Sequence, residues 1–153
     1  MEGHTVIFTS SLPFRDLNIS KILSKISDEN EMPKLYHFSD FLDESALLTE
    51  QPSSTQITPS ELLNSQREKH ELGKMNNVIY FIEVFEKETA KSLEKLMMVA
   101  RHYLIDVVII ISSGGTLPPS IRCTVQQIYA SADIDRIERI WMPKKFANAI
   151  ITF

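Results

Sequence analysis

Val78-Ile79-Tyr80-Phe81-Ile82-Glu83-Val84-Phe85 is the stretch that decides the fold. It is apolar at nearly every position, rich in β-branched and aromatic residues, and does not alternate, so it reads as a strand covered on both faces. Downstream, Glu86 to Tyr103 places its acids first and its bases later and carries Leu93, Leu96, Met97 and Ala100 on one stripe. That is the pattern of an amphipathic helix aligned with its own dipole. Asp106-Val107-Val108-Ile109-Ile110-Ile111 is a second fully buried strand. Strand, amphipathic helix and strand in this order make a right-handed βαβ unit, which requires a parallel sheet.

Beyond this unit, Gly114, Gly115, Pro118 and Pro119 mark a turn, Val125 to Ala130 a shorter strand and Asp133 to Trp141 a last helix. Before it, Thr5-Val6-Ile7-Phe8-Thr9 reads as a strand that enters a loop at Ser10, Ser11 and Pro13. Asn18 then caps a helix whose Ile19, Ile22, Leu23 and Ile26 recur at helical spacing. Asp28 to Pro33 breaks that helix, and Lys34 to Phe38 is a short second strand. Residues 49–60, with Gln51-Pro52-Ser53-Ser54-Thr55, hold too few apolar groups to offset the entropy of ordering them and read as a flexible surface loop. Thr58-Pro59-Ser60-Glu61 supplies an N-cap, a proline at the first helical position and an early acid, opening a polar, largely exposed helix that ends near Gly73. The expectation is one domain over residues 1–153, a three-layer α/β/α sandwich with a mainly parallel sheet.

The chain has 153 residues, 43% of them hydrophobic, and a net charge of -4, so it has no global attraction to a phosphate backbone. Its densest basic cluster is Lys144-Lys145, while Arg136 and Arg139 are interleaved with Asp133, Asp135 and Glu138, as on a solvated helix face. DNA contact is expected to be indirect or weak. The single cysteine, Cys123, cannot form an internal disulfide and has no basic neighbour to make it a nucleophile. His4, His37 and His70 lack the spacing of a zinc site or a catalytic triad, so no metal is expected from sequence spacing. Met1-Glu2-Gly3-His4-Thr5 lacks a basic start and an apolar core, and no run reaches the roughly 18 apolar residues that span a bilayer. These features lead to a cytoplasmic or nuclear protein without membrane association.

Ala100-Arg101-His102-Tyr103, the strand Val107 to Ile111 and Leu117-Pro118-Pro119-Ser120-Ile121-Arg122 together resemble a P-loop ATPase core of the FtsK/HerA kind, most nearly the DNA-packaging ATPases of poxviruses and related large DNA viruses. In that family a small residue, Arg and His end the helix after the acidic Walker B strand. The next strand ends in a sensor glutamine, and a proline and an arginine follow. Arg101, His102, Pro118 or Pro119, and Arg122 keep that order, and Ser131 through Pro143 is similar to the family's helix after the sensor strand. The resemblance spans residues 77 to 143. It implies a P-loop NTPase-like fold, an ATP and magnesium site, and assembly with protein partners or with copies of itself.

The departures fall on the chemistry. A GxxxxGK[ST] loop wraps phosphates with backbone N–H groups and reaches them with a lysine. The corresponding segment is Ser10-Ser11-Leu12-Pro13-Phe14-Arg15-Asp16-Leu17, which has no glycine, contains a proline without an N–H, and carries an acid that repels a nucleotide. Arg15 is the candidate stand-in for the lysine. Glu83 matches the family's catalytic acid, Ile82 stands where an aspartate would anchor magnesium, and Ser112 falls at the sensor glutamine. The resemblance therefore implies a non-catalytic derivative of a packaging-type ATPase, an interaction or assembly module that needs no cofactor, located in host cytoplasm or nucleus if viral. Arg101, His102 and Arg122 are the candidate subunit-facing residues. A structural role stays open for each, at a helix C-terminus for Arg101 and His102 and in a salt bridge within the domain for Arg122. Two alternatives also stay open: an active nucleotide hydrolase using Arg15 and Glu83 with ATP and magnesium, and an unrelated α/β binding protein.

Overall fold

The computed structural model describes residues 3–9, 11–27, 33–39, 54–83, 87–111, 117–132 and 134–153. Seven parallel strands are described: β1 (His4–Phe8), β2 (Lys34–Ser39), β3 (Ser54–Gln56), β4 (Val78–Glu83), β5 (Ile105–Ile111), β6 (Val125–Ala130) and β7 (Ile150–Thr152). They form one sheet in the order β3-β2-β4-β5-β1-β6-β7. The described helices are α1 (Leu12–Ser27), α2 (Pro59–Glu71), α3 (Lys87–Val99), α4 (Pro119–Arg122) and α5 (Arg136–Lys145).

Side chains of successive strand residues point to opposite faces, and here both faces are covered. Val78, Tyr80 and Ile82 of β4 join Val107, Ile109 and Ile111 of β5 in the larger core, under Leu62 of α2, Leu93 and Leu96 of α3 and Met142 of α5. Ile79 and Phe81 point the other way, with Val108, Ile110 and Ile7, onto Ile19 and Ile22 of α1. These are the three layers expected of an α/β/α sandwich, and every strand pairing is parallel.

The connection from β1 through α1 leads away over β5 and β4 to β2, whereas the connection from β5 crosses to β6 on the far side of β1. Strand order therefore reverses beside β1, and the carboxyl ends of β1, β4 and β5 are where an open parallel sheet offers a ligand crevice.

Several boundaries differ from the sequence reading. Helix α1 begins at Leu12, because the Ser11 hydroxyl accepts from the Phe14 amide at 3.4 Å and Pro13 is tolerated in a first turn whose N–H groups lack helical partners. Asn18 is thus inside the helix and 4% exposed, its amide donating to the Phe14 carbonyl at 2.9 Å. The expectation of a flexible loop over residues 49–60 is corrected where the structure describes it. Ser54–Gln56 pairs in parallel with Leu35, Tyr36 and His37, the Ile57 amide donates to the His37 carbonyl, and the Tyr80 hydroxyl donates to the Ile57 carbonyl at 2.7 Å. Main-chain pairing orders this polar stretch, which a count of apolar side chains does not register. Residues 49–53 lie outside the described residues.

Helix α2 opens on a Thr58 N-cap: the Thr58 hydroxyl accepts from the Glu61 amide and donates to the Glu61 carboxylate at 2.9 Å. It is less exposed than its composition suggests, burying Pro59, Leu62, Leu63 and Gln66. Helix α5 starts at Arg136, later than the expected Asp133, because the Asp135 carboxylate caps it by accepting from the Ile137 amide. It also runs on past Trp141 through Pro143 to Lys145.

Candidate functional site at the carboxyl end of the sheet

Alternation along β4 decides where its terminal acid points. Ile79 and Phe81 face α1, so Glu83, two residues on, shares that face, while Ile82 is fully buried in the opposite core. On α1, Arg15 stands one turn before Ile19 on the buried stripe, which aims it at the same place. The two meet: Arg15 Nη1 lies 3.2 Å from Glu83 Oε1, with side-chain exposures of 12% and 4%. Arg15 Nε also lies 3.2 Å from the half-exposed Asp16 carboxylate. The helix after β1 and the end of β4 are thereby joined by a buried, charge-assisted hydrogen bond across the intervening strand β5.

The turn between β1 and α1 is held by its own hydroxyls. Thr9 Oγ1 donates to Ser131 Oγ at 2.8 Å and accepts from the Ser11 amide at 2.9 Å. The Thr9 amide donates to the Ile111 carbonyl and the Ser131 amide to the Phe8 carbonyl, extending the ladders of β5 and β6 past their last residues. The amides of Ser11 and Phe14 are therefore both occupied by side-chain oxygens, and Pro13 has no N–H. Ser10 and Ser112 lie outside the described residues.

The other sequence-derived candidates sit elsewhere. Arg122, in the crossover between β5 and β6, lines a small, partly open pocket together with Phe8, Ile111, Leu117, Met142 and Phe146. Glu138 and Lys145 also border the pocket, and Arg122 Nε is buried there without a hydrogen-bond partner among the described residues. Arg101 and His102 are both exposed in the turn between α3 and β5, at the amino end of the sheet and opposite Glu83. The structure thus brings Arg15 and Glu83 together and places Arg101 and His102 at the far edge.

The amino end has its own buried polar group. His4 is 1% exposed; its Nδ1 accepts from the Val107 amide at 3.0 Å and its own amide donates to Gln126 Oε1. Burial, followed by the positive charge of Arg101, lowers the His4 pKa from 6.5 to about 4, so the ring is neutral at physiological pH. Gly3, at φ 84, makes this possible, since a Cβ there would collide with the Gln126 side chain.

A seven-stranded parallel sheet with helices on both faces, and a strand-order reversal beside β1, is an α/β fold shared with two solved structures. The chain is similar to the structure titled the cytoplasmic domain of EssC, at 14% identity and a TM-score of 0.53, covering 97% of this chain and 30% of that one. It is also similar to B204, the DNA-packaging ATPase from Sulfolobus Turreted Icosahedral Virus, at 10% identity and a TM-score of 0.59, covering 95% of this chain and 83% of that one. At these identities the likeness concerns the fold. No family model and no curated protein matches the chain. Among the described residues no helix is long and apolar enough to cross a membrane.

Proposed function

We propose that this chain is a non-catalytic derivative of a packaging-type ATPase, retained as a folded interaction or assembly module. The observation that carries the reading is the part-buried Arg15–Glu83 pair, because it puts a guanidinium against the acid that would have to activate water. A carboxylate so engaged has its charge already compensated and gives up a charge-assisted hydrogen bond before it can accept a proton. The turn after β1 supports the same conclusion: the amides of Ser11 and Phe14 are taken up internally, Pro13 offers none, and the exposed Leu12 replaces a flexible glycine. Ile82 faces the opposite core and supplies no oxygen for a cation. The described residues do not fit a magnesium–nucleotide complex.

The partners implied are proteins, either other subunits or copies of this chain, with any DNA contact indirect. Helix α5 offers a surface suited to such contact, because Ile137, Ile140 and Trp141 are 63%, 56% and 47% exposed at positions that share one helical face. The deciding measurement is a titration with ATP and magnesium followed by calorimetry and phosphate release. No binding and no turnover are expected. Micromolar affinity with turnover that disappears in Glu83→Gln would establish a hydrolase in its place.

A further inference from the structure

We propose that His70 and His102 form a two-imidazole binding site for a divalent transition metal of the zinc, nickel or copper class at the amino end of the sheet. The pair is assembled by the docking of α2. Gln66, fully buried, donates through Nε2 to the Tyr103 carbonyl at 2.7 Å and to the Asn76 carbonyl at 3.1 Å, clamping the helix onto the turn that follows α3. His70 lies one helical turn beyond Gln66 on the same face, so this clamp carries it onto His102. The ring centroids are 5.2 Å apart, and Tyr103 packs edge-on against both, at 4.8 Å from His102 and 5.7 Å from His70.

The turn itself is held in an uncommon shape. Leu104 has φ 55, the left-handed region, which for a residue with a Cβ costs on the order of 1 kcal/mol. Surrounding bonds over-determine that shape: the Ile105 amide donates to the Ala100 carbonyl at 2.8 Å and the Leu104 amide to the Arg101 carbonyl at 3.2 Å. His102 is therefore presented from a fixed backbone.

The separation of the rings is compatible with a shared ion. Two imidazoles that each ligate through one nitrogen at about 2.0 Å, in tetrahedral arrangement, place their centroids about 5 Å apart. Both residues are exposed, leaving room for water or a donor from another molecule in the remaining positions. No group of three or more His, Cys, Asp or Glu suited to a metal occurs among the described residues, so this is an open, two-ligand site rather than a closed structural centre. Imidazole nitrogens select zinc, nickel and copper over magnesium and calcium, which prefer oxygen. Arg67, whose guanidinium lies 6.0 Å from the Tyr103 ring, and Arg101 beside His102 are the nearby cations; Glu68 and Glu71 on α2 are the nearby acids.

Calorimetric titration of the full chain with zinc chloride and with nickel chloride tests the site. It is best done in a Cys123→Ser background, because the exposed Cys123 thiol is a rival ligand. The expected result is one ion per chain and no heat with magnesium. Affinity should fall at least about tenfold in either His70→Ala or His102→Ala, since losing one imidazole removes the chelate. Both substitutions are at exposed positions, and unchanged melting temperatures without metal would show that the fold is intact. Absence of binding to either metal, or single variants that lose less than about threefold so that the rings act independently, would overturn the site.

Discussion

At the carboxyl end of the sheet Arg15 and Glu83 form a part-buried ion pair, whereas at the amino end His4 is buried and neutral while His70 and His102 stay in solvent. The first arrangement closes a crevice by filling it with an internal ion pair. The second keeps its polar groups available, one as an acceptor for the Val107 amide and two toward water. In an open parallel sheet the ligand crevice lies at the carboxyl ends of the strands, and there this chain pairs Arg15 with Glu83, while the exposed His70 and His102 stand at the opposite end.

The largest test of this contrast is Arg15→Ala, which leaves Glu83 buried without its guanidinium. A loss of about 3–5 kcal/mol in urea unfolding is expected, with much of it recovered when Glu83 is also replaced by an apolar residue. A loss below about 1 kcal/mol would mean that the pair behaves like a surface contact. Next comes acidification. The folded-state pKa of His4 is depressed to about 4, so as pH falls the unfolded chain takes up this proton first. The contribution is complete above pH 6.5, declines between 6.5 and 4 and is absent below, amounting to about 3 kcal/mol. His4→Asn, whose amide oxygen can accept from the Val107 amide, should flatten this part of the stability–pH curve. Gln66→Leu, which strips the Tyr103 and Asn76 carbonyls of their donor, should cost about 2 kcal/mol and broaden the His102 ring resonances. The smallest effect is expected for Thr58→Ala, about 1 kcal/mol, because it removes a cap at the exposed start of α2.

Much of the fold was legible because β4, α3 and β5 each write their environment into their composition: two uninterrupted apolar runs and one 3.6-residue stripe. The elements that escaped are those stabilised by main-chain bonds or by a few residues. β3 is polar and paired through its backbone, α4 is a four-residue helix, and β7 has three residues, too short for a period to show. The start of α1 was missed because Asn18 looks like a cap, whereas the Ser11 hydroxyl does that work about two turns earlier. At the candidate site, Arg15 and Glu83 were each singled out from motif position, and it took strand alternation and helix phase to show that they bond to one another. The His70–His102 pair had no sequence signal, since their proximity depends on where α2 docks, which Gln66 determines.

The described sheet is bounded on one side by β3 and on the other by β7, each three residues long. An incoming strand would find at most a short ladder of free amides and carbonyls at either border, too little to template a continuous inter-subunit sheet. Ile150, 72% exposed on β7, is consequently tolerated at a position that would invite fibrous stacking on a longer edge. If the proposed assembly role holds, the described edges favour contacts between side chains on helices, which can be released without unravelling the sheet.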